Sequence, residues 1–208
     1  MKKMKTKNKN KLYNIILTIL SILFILVVIL IILKYGGIQK NKKELKISAS
    51  NIIKELEKEN KENKDNNEKK EQIKIKHKGY NVVGIIKIPS INIEYPILEN
   101  TNDETMKISI TKFWGNNVND IGNFTMAGHN YYKAMFGDIK KLNIEDIIEM
   151  TDLTGNTVKY KIFDKYITDP NDVKCIEGVE KDKREITLIT CTKGRSNRLI
   201  IKAREKIL

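Results

Sequence analysis

The hydrophobic and polar positions divide the chain into zones of different character. A run of 19 uncharged residues, Ile15 to Leu33, is built almost wholly from Ile, Leu, Val and Phe. As a helix it spans roughly 28 Å, close to the hydrocarbon thickness of a bilayer. A cleaved signal peptide is the alternative, but its apolar region would be shorter and would end at a small-residue cleavage site. The pattern predicts an uncleaved transmembrane anchor over residues 15–33.

The residues after this span predict a linker. Apolar residues recur at helical spacing between Leu45 and Leu56, which predicts a short amphipathic juxtamembrane helix. Glu57 to Gln72 contains no apolar residue, so it cannot bury enough surface to offset the entropy of ordering it. We therefore interpret residues 34–78 as a charged juxtamembrane linker.

The remaining 130 residues, Gly79 to Leu208, alternate short apolar bursts with turn signals. The bursts predict strands at Val82–Ile88, Ile91–Ile97, Asn123–Ala127, Thr157–Ile167, Ile186–Cys191 and Arg198–Arg204. Helices are predicted at Glu104–Phe113, where Asn102 and Asp103 offer caps, and at Tyr131–Leu142. The sum is a mainly β domain over residues 79–208 with one or two short helices, compatible with a closed barrel.

The net charge of +13 does not predict a nucleic-acid partner, because of where the charge lies. Six lysines fall within the first eleven residues, directly before the apolar span. By the positive-inside rule this basic segment, residues 1–14, stays cytoplasmic and the C-terminal bulk lies outside, although lysines also follow the span. The rest of the charge is spread thinly or mixed with acidic residues.

Cysteine and histidine are scarce, which limits the possible chemistry. Two cysteines give no disulfide framework, and two histidines without a CxxC or HExxH pattern give no zinc site. Acidic and amide side chains between residues 103 and 120 offer oxygens, but at no recognisable calcium-loop spacing. We expect neither a metal nor a cofactor. Cys175 is either an incidental small residue or a redox partner that caps Cys191.

Cys191 ends the apolar strand 186–190 and is followed by a polar loop, so its thiol is more accessible than one in mid-strand. A small hydrophobe of the core is the alternative reading. If residues 192–197 close a hairpin, Arg198 lies directly opposite Cys191 and projects to the same face. A guanidinium there favours the thiolate and can donate to an oxyanion. Arg195 is a rival at the loop tip.

His129 also follows a strand, 124–127, with Gly128 allowing a sharp turn or a close approach. A histidine in this position can serve as general acid for a leaving amine, or can simply be a solvated loop residue. His77, at the end of the charged linker, is interpreted as such a solvated histidine.

Three segments resemble the sortase family of cysteine transpeptidases. Thr187-Leu188-Ile189-Thr190-Cys191 is similar to the TLxTC motif, with Arg198 in the place of the family's arginine. Ala127-Gly128-His129-Asn130 resembles the segment that bears the family's histidine, and residues 84–97 resemble its opening strand pair. The resemblance covers nearly all of residues 79–208, in the right order and after an N-terminal anchor.

The resemblance implies a closed eight-stranded barrel and a two-step acyl transfer. Cys191 would attack the carbonyl after Thr of an LPxTG-like sorting signal, and His129 would protonate the departing amine. An amine of a Gram-positive cell-wall precursor would then resolve the thioacyl enzyme, with Arg198 stabilising the oxyanion in both steps. Only eighteen residues, Thr168 to Glu185, are available for the insertion of class B enzymes, so the resemblance favours a compact class D-like member.

Two other functions remain open at the level of sequence. In a cysteine peptidase or hydrolase, water rather than an amine would resolve the acyl enzyme. In a non-catalytic surface adaptor, the anchored barrel would bind a partner and Cys191 would be dispensable.

Overall fold

The computed structural model describes residues 2–65, 74–130, 135–177, 182–192, 194 and 196–206. The chain divides into two compact units, one ending at Lys40 and the other running from Asn41 to Leu208. One long helix, α1 (Lys2–Asp65), supplies the whole described part of the first unit. It contains a stretch long and apolar enough to cross a membrane, with exposed side chains at positions 15–33.

The second unit is built around a closed β-barrel. Among the described residues the strands are β1 (Lys76–His77), β2 (Tyr80–Ile88), β3 (Ile93–Leu98), β4 (Ile110–Trp114), β5 (Gly122–Ala127), β6 (Ile147–Asp152), β7 (Thr157–Thr168), β8 (Arg184–Cys191) and β9 (Arg198–Glu205). Eight of them follow the order β2-β3-β4-β5-β8-β9-β7-β6, and β6 pairs with β2 to close the ring. The two-residue β1 lies outside the ring and pairs with β2. The predicted closed eight-stranded barrel is confirmed.

Apolar side chains of the strands fill the barrel. The largest fully buried ones include Tyr95, Phe136 and Tyr160, together with isoleucines from β2, β3 and β4. Apart from Ile85, these residues belong to one core cluster inside the ring. Two strand pairs, β3 with β4 and β5 with β8, are parallel, whereas the other pairs are antiparallel.

The part of α1 that belongs to this unit packs on the outside of the barrel. The predicted apolar stripe is buried at Leu45, Ala49, Ile52 and Leu56, each no more than 4% exposed. The last three form a second apolar cluster with residues of β2 and β3, among them Ile85. Residues 41–56 therefore contribute side chains to the folded unit. They lie within residues 34–78, which the sequence predicts to be a charged linker. Of the segment without apolar residues, Glu57 to Gln72, residues 57–65 continue α1, and residues 66–72 lie outside the described residues.

The helix predicted at Glu104–Phe113 is wrong over most of its length. Helix α2 (Thr105–Ile108) has a single turn, and Asn102 caps it by accepting hydrogen bonds from the N–H groups of Glu104 and Thr105. Ser109 is extended, and strand β4 begins directly after it. β-Branched and aromatic residues dominate β4, and pairing with β3 and β5 outweighs the local helical spacing.

The second predicted helix, Tyr131–Leu142, lies partly outside the described residues. Its described part contains one 3₁₀ turn, Ile139–Lys141.

Candidate active site

The hairpin of β8 and β9 brings Cys191 and Arg198 together. The two residues are direct partners in the antiparallel register, and Thr192 N–H donates to the Asn197 carbonyl at 2.9 Å just beyond them. Directly opposed residues of an antiparallel pair project to the same face. The predicted opposition of Cys191 and Arg198 is therefore confirmed. Arg195, the rival arginine, lies outside the described residues.

Strand β5 runs parallel to β8 and brings His129 to the same edge of the barrel. Ala127 pairs with Ile189, so His129 and Cys191 each lie two residues beyond a matched pair. The connection continues past the last strand pair, because Gly128 N–H donates to the Ile189 carbonyl at 3.1 Å. Parallel neighbours in register end at the same edge of a sheet. The ends of β5 and β8 therefore place the histidine beside the thiol-bearing residue.

Two side chains fasten these strand ends to each other. The Thr190 hydroxyl donates to the Gly128 carbonyl at 2.6 Å, and the Asn130 amide donates to the Thr192 carbonyl at 2.9 Å. Both residues lie in the segments that resemble the family, but the sequence assigned neither of them a role. The available signal was their position, since each is a hydrogen-bonding residue directly adjacent to Cys191 or His129.

The segment that follows His129 packs against it from the other side. Phe136 N–H donates to the His129 carbonyl at 2.9 Å, and the Phe136 ring is fully buried. A Cβ atom on Gly128 would lie 2.8 Å from that ring. Only glycine at position 128 therefore lets the Phe136 ring pack this close to the backbone. The contacts of Phe136 thus hold the backbone of Gly128 and His129 in place.

Cys191, His129 and Arg198 are each partly exposed, whereas Thr190, directly before Cys191, and residues 124–128, directly before His129, are buried. Two flanking strands hold the backbone of the site, while solvent and a ligand can reach its side chains. An arrangement of thiol, imidazole and guanidinium at one accessible edge can support nucleophilic acyl transfer.

His77 is not a solvated histidine, so the interpretation made from the sequence is wrong. It lies in β1, is 8% exposed, and contacts the Ser48 hydroxyl through Nδ1 at 2.7 Å. Burial lowers the pKa of His77, the Lys78 charge lowers it further, and the Glu44 charge opposes both. His77 is thus part of the contact between α1 and the barrel, and it is separate from the candidate site.

Cys175 is not placed to form a disulfide with Cys191. Both thiols are free, and Cys175 is buried where its carbonyl accepts a hydrogen bond from the Thr187 hydroxyl. Thr187 lies four residues before Cys191, or about 13 Å along an extended strand. A disulfide requires Cα atoms within about 7 Å. Burial raises the pKa of the Cys175 thiol, and the Asp172 charge raises it further.

The part of the chain that the structure describes holds no cluster of three or more metal-ligating side chains. The Asp120 carboxylate, one of the oxygen donors noted in the sequence, accepts hydrogen bonds from both the backbone and the amide of Asn117. Trp114, at the end of β4, is 57% exposed and lies outside the core.

Comparison with known proteins identifies relatives of this domain. The family model of the sortase domain matches residues 86–206. Sortase A of Bacillus anthracis is 33% identical over 118 residues, which cover 56% of this chain and 55% of the relative. Sortase A of Listeria monocytogenes is 34% identical over 114 residues, covering 54% of this chain and 50% of the relative. The chain thus matches about half the length of these curated relatives.

Solved structures share the fold. A sortase D5 transpeptidase of Clostridium perfringens superposes with a TM-score of 0.62 at 24% identity, over 81% of this chain and 99% of that one. Sortase A of Listeria monocytogenes superposes with a TM-score of 0.55 at 28% identity, over 61% and 88%. A Clostridium perfringens sortase C, solved with the C-terminal cell wall sorting motif, gives 0.56 at 20% identity, over 84% and 100%. Since the family model covers more than half of the chain and the barrel has the same architecture, the chain belongs to the sortase family.

Proposed function

We propose that this chain is a cysteine transpeptidase in which Cys191 is the nucleophile, His129 the general acid and base, and Arg198 the oxyanion stabiliser. The observation that carries the proposal is the convergence of β5, β8 and β9 at one edge, with Cys191 opposite Arg198 and next to the His129 segment. Most residues of these strands are buried, whereas Cys191, His129 and Arg198 are partly exposed. Among the described residues, no other strand ends bring a thiol, an imidazole and a guanidinium together.

The reaction has two balanced halves. The Cys191 thiolate attacks the carbonyl carbon of the substrate's Thr, the C–N bond from that carbon to the next residue breaks, and protonated His129 gives its proton to the leaving amine. An incoming amine then loses a proton to His129 as it attacks the thioester, and the thiolate leaves. In each half the guanidinium of Arg198 donates to the tetrahedral oxyanion, which carries more charge than the ground-state carbonyl.

The relatives support the proposed substrate class. We assign to this chain an LPxTG-like sorting signal of secreted surface proteins, because a structural neighbour was solved with a cell wall sorting motif. The acceptor would be an amine of a Gram-positive cell-wall precursor. No nucleic acid is part of the proposal.

The apolar stretch of α1 supports attachment of the enzyme to the cell membrane by a single span. Lysines before the span favour a cytoplasmic N-terminus, which would leave the catalytic unit outside the cell with its substrates. The connection between β7 and β8 is short, residues 169–183, and its described residues contain no helix. This supports a class D-like enzyme over class B.

The test uses the full chain in detergent micelles and a library of LPxTG-like peptides, with and without triglycine. We expect a peptide–triglycine product by mass spectrometry, and a thioester on the protein that disappears in the Cys191→Ala variant. Hydrolysis that triglycine does not divert would assign the chain as a cysteine hydrolase. If a sorting-signal reporter still reaches the surface of cells carrying Cys191→Ala, the non-catalytic adaptor replaces the enzyme.

A further inference from the structure

The segment after His129 is linked to the docked part of α1 by an ion pair. Lys42 Nζ lies 2.7 Å from the Asp138 carboxylate, and the two side chains are only 21% and 26% exposed. Residues 42 and 138 are far apart in sequence and belong to the same compact unit. The ion pair therefore connects α1 to a segment that is distant from it in sequence.

Asp138 is close to the catalytic backbone through its immediate neighbours. Phe136 N–H donates to the His129 carbonyl at 2.9 Å. A Cβ on Gly137 would lie 2.6 Å from the Asn130 carbonyl oxygen, so residues 137 and 130 are in direct backbone contact. A displacement of Asp138 would therefore be transmitted to His129 within two residues.

The two lysines that contact Asp138 stabilise different parts of the structure. Lys141 also contacts the carboxylate, at 2.8 Å, but it lies three residues away in the same turn and can only stabilise that turn. Lys42 connects the turn to another element, whose position is fixed by buried Leu45 one turn further along α1. Lys165 of β7 supplies a second connection, since its Nζ donates to the carbonyls of Lys140 and Leu142 at 2.7 Å. The turn is thus held from both sides.

We infer that the Lys42–Asp138 ion pair positions the histidine segment, so that the docked part of α1 is a working component of the active site. The inference rests on the proposed roles of His129 and Cys191. Lys42 and Asp138 are positioning residues: they act through Phe136 and Gly137 on His129, and they do not contact the reacting atoms. Burial works against the charge on Asp138, but hydrogen bonds from Lys141 and Lys42 hold its pKa below the ordinary value.

The experiment compares Lys42→Ala, Asp138→Asn and the charge-exchanged pair Lys42→Asp/Asp138→Lys in the full chain. We expect each single variant to lower kcat about two- to fivefold with KM unchanged, a size typical of a partly exposed ion pair. The exchanged pair should recover most of the loss, and Lys42→Arg should behave as wild type. Lys46→Ala is the matched control, because Lys46 is one turn along the same helix and contacts Asn92 at 3.1 Å and Glu94 at 3.9 Å, not the segment after His129.

Three results would overturn the inference: an unchanged kcat in both single variants, a loss that only tracks the unfolded fraction, or an equal loss in the Lys46→Ala control. A second readout is the pH dependence of Cys191 alkylation by iodoacetamide, which needs no substrate. If wild type turns over no peptide, the proposed function has failed, and alkylation alone decides the inference. A shifted pH midpoint in Lys42→Ala then supports it, and superimposable curves contradict it.

Discussion

The hydroxyl of Thr190 donates a hydrogen bond to the carbonyl oxygen of Gly128 at 2.6 Å, from a side chain only 4% exposed. This bond joins the residue directly before Cys191 to the residue directly before His129. The two strand ends are then held at a fixed spacing by a side chain as well as by the backbone. The threonine of the TL-x-T-C sequence thus has a physical role independent of the reaction.

Replacing this hydroxyl should damage both stability and activity. Thr190→Val keeps the shape but leaves the buried Gly128 carbonyl without that donor, which costs about 1–3 kcal/mol of unfolding free energy. Because the spacing of His129 and Cys191 also relaxes, we expect kcat per folded molecule to fall about tenfold or more. Urea unfolding and single-turnover acylation measure the two effects separately.

Thr187→Val is the matched control for that prediction. The Thr187 hydroxyl is buried on the same strand, four residues before Cys191. It donates to the Asn123 side-chain oxygen and to the Cys175 carbonyl, away from the site. It should lose similar stability and keep its kcat. An equal loss of kcat in both variants would show that Thr190 acts through stability alone.

Arg198 should not tolerate lysine. A lysine retains the charge opposite Cys191 but lacks the planar fork that donates two hydrogen bonds at once. For Arg198→Lys we expect kcat/KM to fall about 10²-fold or more, the effect of losing an oxyanion donor, with little change in folding. Arg184→Lys, at the other end of the same hairpin, is the control, since it can keep its pairing with Glu205. Activity of Arg198→Lys within a factor of three of wild type would remove Arg198 from the mechanism.

The hairpin around Cys191 could be predicted from the sequence because all of its determinants are local. A strand rich in β-branched residues, a polar loop and a second apolar strand fix the register within the twenty residues from Glu185 to Arg204. The approach of His129 is different, because the parallel pairing of β5 with β8 joins residues about sixty positions apart. Local patterning contains no information on that pairing, and the expectation came from resemblance.

Two other features escaped sequence analysis for related reasons. Strand β6 (Ile147–Asp152) was not predicted, since its polar residues dilute the apolar pattern and its partners β2 and β7 supply the stabilisation. The stripe from Leu45 to Leu56 was visible as a helix, but the surface it packs on was not. Residues of β2 and β3 provide that surface, and a strand read alone does not reveal which face is covered.

The docked segment of α1 should be essential to the stability of the barrel. Leu56 is 1% exposed and packs in the cluster formed with Ile85 and Leu98, so Leu56→Ala should lower the unfolding free energy by about 2–5 kcal/mol. Ile47→Ala, on the exposed side of the same helix, should change it by less than about 0.5 kcal/mol. A fragment starting at Gly79 should be less stable than one starting at Asn41, as thermal unfolding would show. Equal stability of the two fragments would mean that the helix docks without contributing to the fold.

His77 should make the contact of α1 with the barrel sensitive to acid. Burial holds its pKa below the ordinary value of about 6.5, and the adjacent Lys78 acts in the same direction against Glu44. The unfolded chain therefore takes up this proton at a higher pH than the folded chain does. Stability from this group is fully present above about pH 6.5 and is lost as the pH falls from there toward the folded pKa.

The measurement is the unfolding free energy of Asn41–Leu208 between pH 8 and pH 5, for wild type and for His77→Gln. Wild type should lose stability below about pH 6.5, whereas the variant, which cannot take up the proton, should have a flatter profile. Asp138, whose carboxylate is held ionised by Lys141 and Lys42 against the cost of burial, contributes in a separate window below about pH 4. The two groups can therefore be distinguished by pH alone. Parallel profiles for wild type and His77→Gln would show that the buried imidazole does not couple pH to folding, and that Ser48 holds it in a site equally suited to the protonated ring.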